Sequence, residues 1–156
     1  MELAQLNIAR VLAPLESPMM QEFVDNLGPI NTIAENSPGY IWRLQDDSGD
    51  ATSIEVFDDP LIIVNMSVWE SVESLKDFMF KTHHLTFLKR KAEWFGKMQE
   101  PNHVLWWIEK GTIPTVQEAK RRLIHLREHG DSAYAFSFRN LYPPGVIDLP
   151  PPLESV

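Results

Sequence analysis

The sequence predicts an α+β fold, a ferredoxin-like split βαβ arrangement in which an antiparallel sheet carries both helices on one face. Some short segments alternate apolar and polar residues, as half-buried strands do, and longer ones repeat apolar residues at helical spacing. Their order is β-α-β-β-α-β, followed by an extra C-terminal helix and strand. A chain of 156 residues suits one domain, which we place at residues 1–140, with a proline-rich tail at residues 141–156.

The first strand is predicted at the start of the chain. Apolar Ala4, Leu6 and Ile8 alternate with Gln5 and Asn7, which puts the two sets on opposite sides of a strand. This pattern predicts one side buried in the core and one side that carries polar groups.

The first helix is predicted at residues 20–34, where apolar residues recur three and four apart. Gly28-Pro29 should kink or split it, because proline lacks the N–H group and disfavours helical geometry in the preceding residue. A second strand follows at residues 40–45, and the acidic, glycine-containing residues 46–50 predict a turn.

Residues 61–69 give the strongest strand pattern in the chain. The even-numbered residues from Ile62 to Val68 are apolar, whereas the odd-numbered series becomes polar and aromatic at Asn65, Ser67 and Trp69. One side of this strand should therefore lie under helices, and the other should face a pocket or a subunit interface.

The next helix should begin after Ser71, a residue type that caps helix N-termini. A capping box formed by Ser67 and Glu70 is the competing interpretation, and it would shorten the strand. A further helical stretch is predicted at residues 85–98.

The C-terminal third of the chain begins with a strand at residues 103–108. Thr115 and Glu118 predict a capping box for the extra helix, which Gly130 should end. A short strand is predicted at residues 135–138.

Helices on one face would leave the other face of the sheet bare. Tyrosine and tryptophan occur on several strands, and such a face is too apolar to remain in water. We therefore expect two sheets to meet face to face in a symmetric homodimer.

Composition excludes several functional classes. A net charge of -8 and a pI near 5.0 argue against a nucleic-acid partner, which requires clustered positive charge. The absence of cysteine excludes disulfides, thiolate metal sites and cysteine nucleophiles. Without a signal-peptide pattern or a long apolar segment, the sequence predicts no membrane association and a cytoplasmic location.

The stretch from Asn65 to Phe78 resembles the strand-to-helix signature of the dimeric α+β barrel superfamily, which includes the antibiotic biosynthesis monooxygenase type. The similarity looks closer still to an uncharacterised, largely bacterial family of domains of unknown function. Further similar segments cover nearly the whole chain, at residues 4–10, 42–44, 57–60, 90–95 and 113–119. The resemblance implies a homodimeric barrel, and the wider superfamily includes cofactor-independent oxygenases and haem-binding or haem-degrading enzymes.

Two histidines are candidates on the basis of this resemblance. His84 matches a position where the family carries histidine, and its imidazole would serve as a catalytic base or a haem ligand. His83 is the neighbouring alternative. Either one would instead be a partly exposed helix residue bonded to a backbone carbonyl.

The candidate substrate-binding residues combine polar and aromatic side chains from several strands, and they are Asn7, Trp42, Asn65, Ser67, Trp69 and Trp106. The alternative is that the polar ones satisfy each other across a dimer interface. His125 and His129 lie four residues apart, but no third ligand accompanies them, so no metal site is predicted.

The resulting hypothesis is a homodimer that binds a small hydrophobic molecule and acts as a cofactor-independent, monooxygenase-like enzyme on a hydrophobic or aromatic substrate. Fold analogy supports it, and fold alone does not determine function. The alternatives are a haem-binding protein and a non-catalytic structural or ligand-binding dimer.

Overall fold

The computed structural model describes residues 1–45, 57–81 and 93–145. Within these ranges it contains a four-stranded antiparallel sheet and three α-helices. The elements are β1 (Glu2–Arg10), α1 (Gln21–Glu35), β2 (Tyr40–Arg43), β3 (Ile62–Trp69), α2 (Val72–Lys81), β4 (His103–Ile108) and α3 (Val116–His129). The strand order β2-β3-β1-β4 is that of the ferredoxin-like sheet, which confirms the predicted fold class.

The antiparallel register of β1 with its two neighbours assigns every side chain in the centre of the sheet to a face. The even-numbered residues form what we call the apolar face: Ala4, Leu6, Ile8, Val64, Met66, Val68, Val104, Trp106 and Ile108. The odd-numbered residues form the mixed face, in three rows across the strands: Asn65-Asn7-His103, Ser67-Gln5-Leu105 and Trp69-Leu3-Trp107.

Helices α1 and α2 cover the two ends of the mixed face. Near the start of α1, Phe23 packs in a cluster with Val11 and Trp94. At the opposite end, Ala34 from the end of α1 and Leu75 from α2 belong to the cluster that contains Trp69. Both helices therefore lie on one side of the sheet, as predicted, but that side is the mixed face and not the even-numbered side that was expected to lie under them. The polar rows lie between the two apolar clusters.

The C-terminal helix α3 covers the apolar face. Ala119, Leu123 and Leu126 pack into the same cluster as the even-numbered strand residues and are themselves at most 4% exposed. With α1 and α2 on the mixed face and α3 on the apolar face, the prediction of a bare sheet face is wrong. The bare sheet face therefore no longer supports a homodimer, which stays a prediction.

Local signals for the helix ends are largely confirmed. The Ser71 hydroxyl accepts a hydrogen bond from the amide of Ser74 at 3.1 Å, so Ser71 caps α2, and Ser67 lies within β3. The Thr115 hydroxyl likewise accepts from the amide of Glu118 at 3.1 Å. Gly130 follows α3 with a φ of 77°, which suits glycine.

Gly28-Pro29 does not split the first helix, which runs unbroken from Gln21 to Glu35, whereas the alternative expectation of a kink stays a prediction. Proline leaves the carbonyl four residues before it without its helical partner. Packing holds both ends of α1 in place. Phe23 near its start lies in one apolar cluster, and Ala34 near its end lies in another.

Two predicted elements are not reproduced as expected in the described residues. Of the helix predicted at residues 85–98, residues up to 92 lie outside the described ranges, and Phe95 forms an antiparallel bridge with Val11 and is not helical. The strand predicted at residues 135–138 is reduced to one bridge, in which Phe136 exchanges hydrogen bonds of 2.7 and 2.9 Å with Leu105. The predicted turn at residues 46–50 also lies outside the described ranges.

The beginning of the proline-rich tail packs against its own chain. The carbonyl of Tyr142 accepts a hydrogen bond of 2.8 Å from the indole of Trp107, and the Tyr142 ring lies 5.8 Å from that of Phe136. Residues 146–156 lie outside the described ranges. Among the helices that the structure describes, none has the length and apolar character needed to cross a membrane.

Candidate functional site

The middle of the mixed face holds a connected set of polar side chains, which we call the polar cluster: Gln5, Asn65, Ser67, Trp69 and His103. The Gln5 Nε2 donates to Asn65 Oδ1 and to Ser67 Oγ, each at 2.7 Å. Gln5 Oε1 lies 2.8 Å from His103 Nε2, and the indole Nε1 of Trp69 donates to Ser67 Oγ at 2.8 Å. Gln5 on the central strand thus connects both neighbouring strands.

These residues meet because all of them are odd-numbered and therefore lie on the same face of the sheet. Side chains two apart on one strand share a face, and directly paired residues on antiparallel neighbours lie about 5 Å apart. Gln5 pairs with Ser67, while Asn65 and His103 pair with Asn7 in the adjoining row. A side chain as long as glutamine reaches both diagonal neighbours.

Burial increases along the cluster. Asn65 is exposed, whereas Gln5, Ser67 and Trp69 are 4%, 7% and 1% exposed. Polar groups buried this deeply are stable when hydrogen-bonded to each other. The cluster therefore leads from an accessible amide to an indole enclosed by apolar side chains.

His103 is neutral at physiological pH. Desolvation lowers the pKa of its imidazole from 6.5 to about 4, because burial penalises the charged form. The Phe138 ring lies 5.4 Å from the imidazole ring. A neutral imidazole offers one donor and one acceptor, which suits it to orient a bound hydroxyl or carbonyl group.

Aromatic side chains hold the buried end of the cluster. The Trp69 ring stacks on Phe78 at a centroid distance of 5.2 Å and meets Tyr40 edge-on at 5.7 Å. Phe78 also lines a groove of about 340 Å³, together with Ser37, Pro38, Gly39, Glu70, Ser74 and Asp77. Phe78 therefore contacts the buried end of the polar cluster and also lines this groove.

The structure brings together three of the predicted substrate-binding residues. Asn65, Ser67 and Trp69 belong to the polar cluster, and Asn7 lies in the row between Asn65 and His103. Asn7 is half-buried, and it makes no side-chain hydrogen bond to another residue in the part of the chain that the structure describes.

Trp42 and Trp106 lie on the other side of the sheet. Trp42 pairs with Val68 and packs against the cluster under α3, and Trp106 is fully buried there. The guanidinium carbon of Arg122 lies 5.5 Å from the centre of a Trp106 ring, a cation–π distance. The sheet thus separates these two tryptophans from the polar cluster.

His84, the predicted catalytic residue, and its neighbour His83 lie outside the described residues. His125 and His129 lie on α3 with their rings 4.6 Å apart, and His125 also meets the Tyr134 ring at 4.9 Å. Within the described ranges, no group of three or more histidine and carboxylate side chains is placed to hold a metal ion.

Gln5 and His103 were not predicted as site residues. Gln5 shares the parity of Asn7, and His103 shares that of the buried Leu105, so both belong to odd-numbered series. The sequence did contain one signal: an odd-numbered polar residue on each of three strands. Using it requires the register between strands that are far apart in sequence.

The family model described as "Domain of unknown function (DUF3291)" matches residues 2–149. Among curated proteins, none matches the chain at a significant level. Solved structures with a similar backbone include a candidate antibiotic biosynthesis monooxygenase from Nitrosomonas europaea, with a TM-score of 0.49, 18% identity and coverage of 71% of this chain and 93% of that one. Another is SnoaB, a cofactor-independent oxygenase from Streptomyces nogalater, with a TM-score of 0.45, 17% identity and coverage of 73% and 98%. Values this low do not establish a shared function.

Proposed function

This chain belongs to the DUF3291 family of domains of unknown function, and we propose that it binds a small, largely hydrophobic molecule with a polar substituent at the polar cluster. The observation that carries this proposal is the hydrogen-bonded set running from exposed Asn65 to buried Trp69, between two apolar clusters. Sites for small molecules typically combine apolar walls with a few converging polar groups.

The chemistry of the cluster suits a ring that carries a hydroxyl or a carbonyl. The amide of Asn65 is accessible, and Ser67 Oγ already accepts two hydrogen bonds, so its own proton remains to be donated. The rings of Trp69, Phe78 and Phe138 would provide apolar contact area near these groups.

A panel of small aromatic alcohols, ketones and ethers tests the proposal. Binding would be measured by NMR, because the side-chain amides of Gln5 and Asn65 report contact at the cluster directly. We expect the bound compounds to shift these signals and Ser67→Ala to weaken their binding roughly tenfold, as removal of one good hydrogen bond does.

A matched pair of tryptophan variants tells the two faces apart. Trp69→Phe should weaken binding, whereas Trp42→Phe, on the other side of the sheet, should leave the dissociation constant unchanged. If Trp42→Phe changes the dissociation constant and Ser67→Ala does not, the proposed site is overturned. Failure of the whole panel to shift the Gln5 and Asn65 amides would overturn the proposed ligand class.

One observation favours a second, catalytic candidate, an oxygenase-like reaction without a cofactor on an electron-rich hydroxyaromatic molecule. His103 is a neutral imidazole at the cluster and is able to accept the hydroxyl proton. Its low pKa makes it a weak base in the free protein, but the aromatic anion formed would attract the imidazolium and raise that pKa in the complex.

Oxygen consumption tests this candidate. With a panel compound that binds, the protein should consume dissolved oxygen, and His103→Gln should abolish that consumption while binding persists. Binding without oxygen uptake would leave a non-catalytic binding protein, the alternative that the sequence also allowed.

A further inference from the structure

We propose that Gln5 is a positioning residue: it holds the neutral imidazole of His103 in the tautomer with its proton on Nε2, so that Nδ1 selects ligands that donate a hydrogen bond. The inference rests on the proposed function for its ligand and deepens it by naming the ligand class, a hydroxyl- or N–H-bearing ring. The tautomer itself is a property of the ligand-free protein.

The hydrogen bonds of Gln5 determine the orientation of its amide. Its nitrogen donates to Asn65 Oδ1 and to Ser67 Oγ, which uses both amide hydrogens. Its oxygen is therefore turned towards His103 Nε2, at 2.8 Å. With the amide in this orientation, His103 Nε2 is the donor, because a carbonyl oxygen only accepts hydrogen bonds.

This arrangement leaves the lone pair of the imidazole on Nδ1. Nδ1 makes no hydrogen bond to other residues in the part of the chain that the structure describes. A ligand hydroxyl would gain a hydrogen bond there, whereas an ether oxygen would place its lone pairs against that of the nitrogen. Sites built around such an acceptor reject the analogue that lacks the donor.

Gln5 is suited to this role because it is fixed from both sides. It is 4% exposed, lies on the central strand and bonds to residues of β3 and β4 at once. Rotating the amide would bring its nitrogen against His103 and its oxygen against Asn65 Oδ1. Tautomer and amide orientation are therefore coupled.

The first measurement needs no ligand. In NMR spectra of ¹⁵N-labelled protein at pH 7, Nε2 of His103 should appear protonated and Nδ1 unprotonated. The signals that disappear in His103→Gln identify those of His103. Gln5→Leu should give a mixture of the two tautomers. Gln5→Glu should raise the pKa of the imidazole, because a carboxylate beside it favours the charged form, so a larger fraction of His103 should carry a proton on both nitrogens.

The second measurement compares 1-naphthol with 1-methoxynaphthalene, which differ in the hydroxyl proton. Wild-type protein should bind 1-naphthol roughly tenfold more tightly, the value of about one hydrogen bond, and Gln5→Leu should bring the two dissociation constants together. Gln5→Glu should reduce the preference, because a larger fraction of His103 then carries a proton on Nδ1.

The two measurements separate the possible failures. If Nε2 is unprotonated in wild-type protein, or if Gln5→Leu leaves the His103 spectrum unchanged, the proposed role of Gln5 is overturned, regardless of which ligands bind. The expected tautomer with neither naphthalene bound would overturn the proposed function and the selection built on it. If Gln5→Leu does not fold, the wild-type spectrum and Gln5→Glu still decide the tautomer.

Discussion

The two faces of the sheet come from the same three strands but are built differently. On the apolar face, every residue of the central rows is apolar and at most 6% exposed, and one helix, α3, packs against it. On the mixed face, the same strands pass from the aromatic row of Trp69 to the polar row of Asn65, and helices α1 and α2 pack against its two ends. The apolar face is built for burial alone, whereas the mixed face joins buried aromatic side chains to a row of polar groups.

The largest effect should come from the apolar face. Leu123→Ala removes a fully buried side chain of α3 and should lower the free energy of unfolding by about 2–5 kcal/mol, through lost burial and the cavity left behind. Chemical denaturation measures this value. Ile124→Ala is the matched control, since its side chain is 37% exposed and should cost far less. Equal effects would show that α3 does not cover the sheet as described.

The contribution of the mixed face to the free energy of unfolding should depend on pH, whereas that of the apolar face should not. Because the pKa of His103 is about 4 in the folded chain and 6.5 when unfolded, only the unfolded chain binds this proton between those values. Stability should therefore fall as the pH drops from 6.5 to 4, by up to about 3 kcal/mol. Denaturation of wild-type protein and His103→Gln across this range isolates the contribution. Parallel curves for the two proteins would contradict it.

A smaller effect concerns the buried end of the cluster. Ser67→Ala leaves the buried indole N–H of Trp69 without its acceptor, at a cost of about 1–3 kcal/mol. The cost should shrink in a Trp69→Phe background, where that N–H group is absent. A double-mutant cycle measures the coupling, and strictly additive effects would show that the bond contributes nothing.

The smallest effect returns to the apolar face, at the start of its covering helix. Thr115→Ala removes the cap of α3 and should cost about 1 kcal/mol. Thr115→Ser, which keeps a hydroxyl, should lose little by comparison. Thermal unfolding of both variants sharpens the contrast, because neither should change ligand binding on the opposite face.

These two faces also show what sequence patterns can and cannot supply. Period-two alternation in β1 and β3 correctly predicted which residues share a face, because odd or even position is a local property of a strand, but it did not predict that α1 and α2 pack on the mixed face. The docking of α3 was not predicted, since an apolar helical stripe does not say which surface it will cover. Trp42 and Trp106 were grouped with Asn65 by residue type, but their parity puts them on the other face.

The candidate site was predicted in part for the same reason. Asn65, Ser67 and Trp69 share one strand, so their common face could be read from spacing. Gln5 and His103 join them only through the pairing of strands separated by about 60 and 98 positions in sequence, which no local pattern encodes. His84 was proposed from family resemblance, and it lies outside the described residues.

The packing of α3 on the apolar face has a consequence for dilution. When a second subunit covers an apolar surface, the fraction covered depends on protein concentration by mass action. Here the covering layer belongs to the same chain, so its attachment is a unimolecular equilibrium. The apolar face should stay covered at nanomolar concentration as fully as at millimolar concentration, whatever assembly the protein forms through other surfaces.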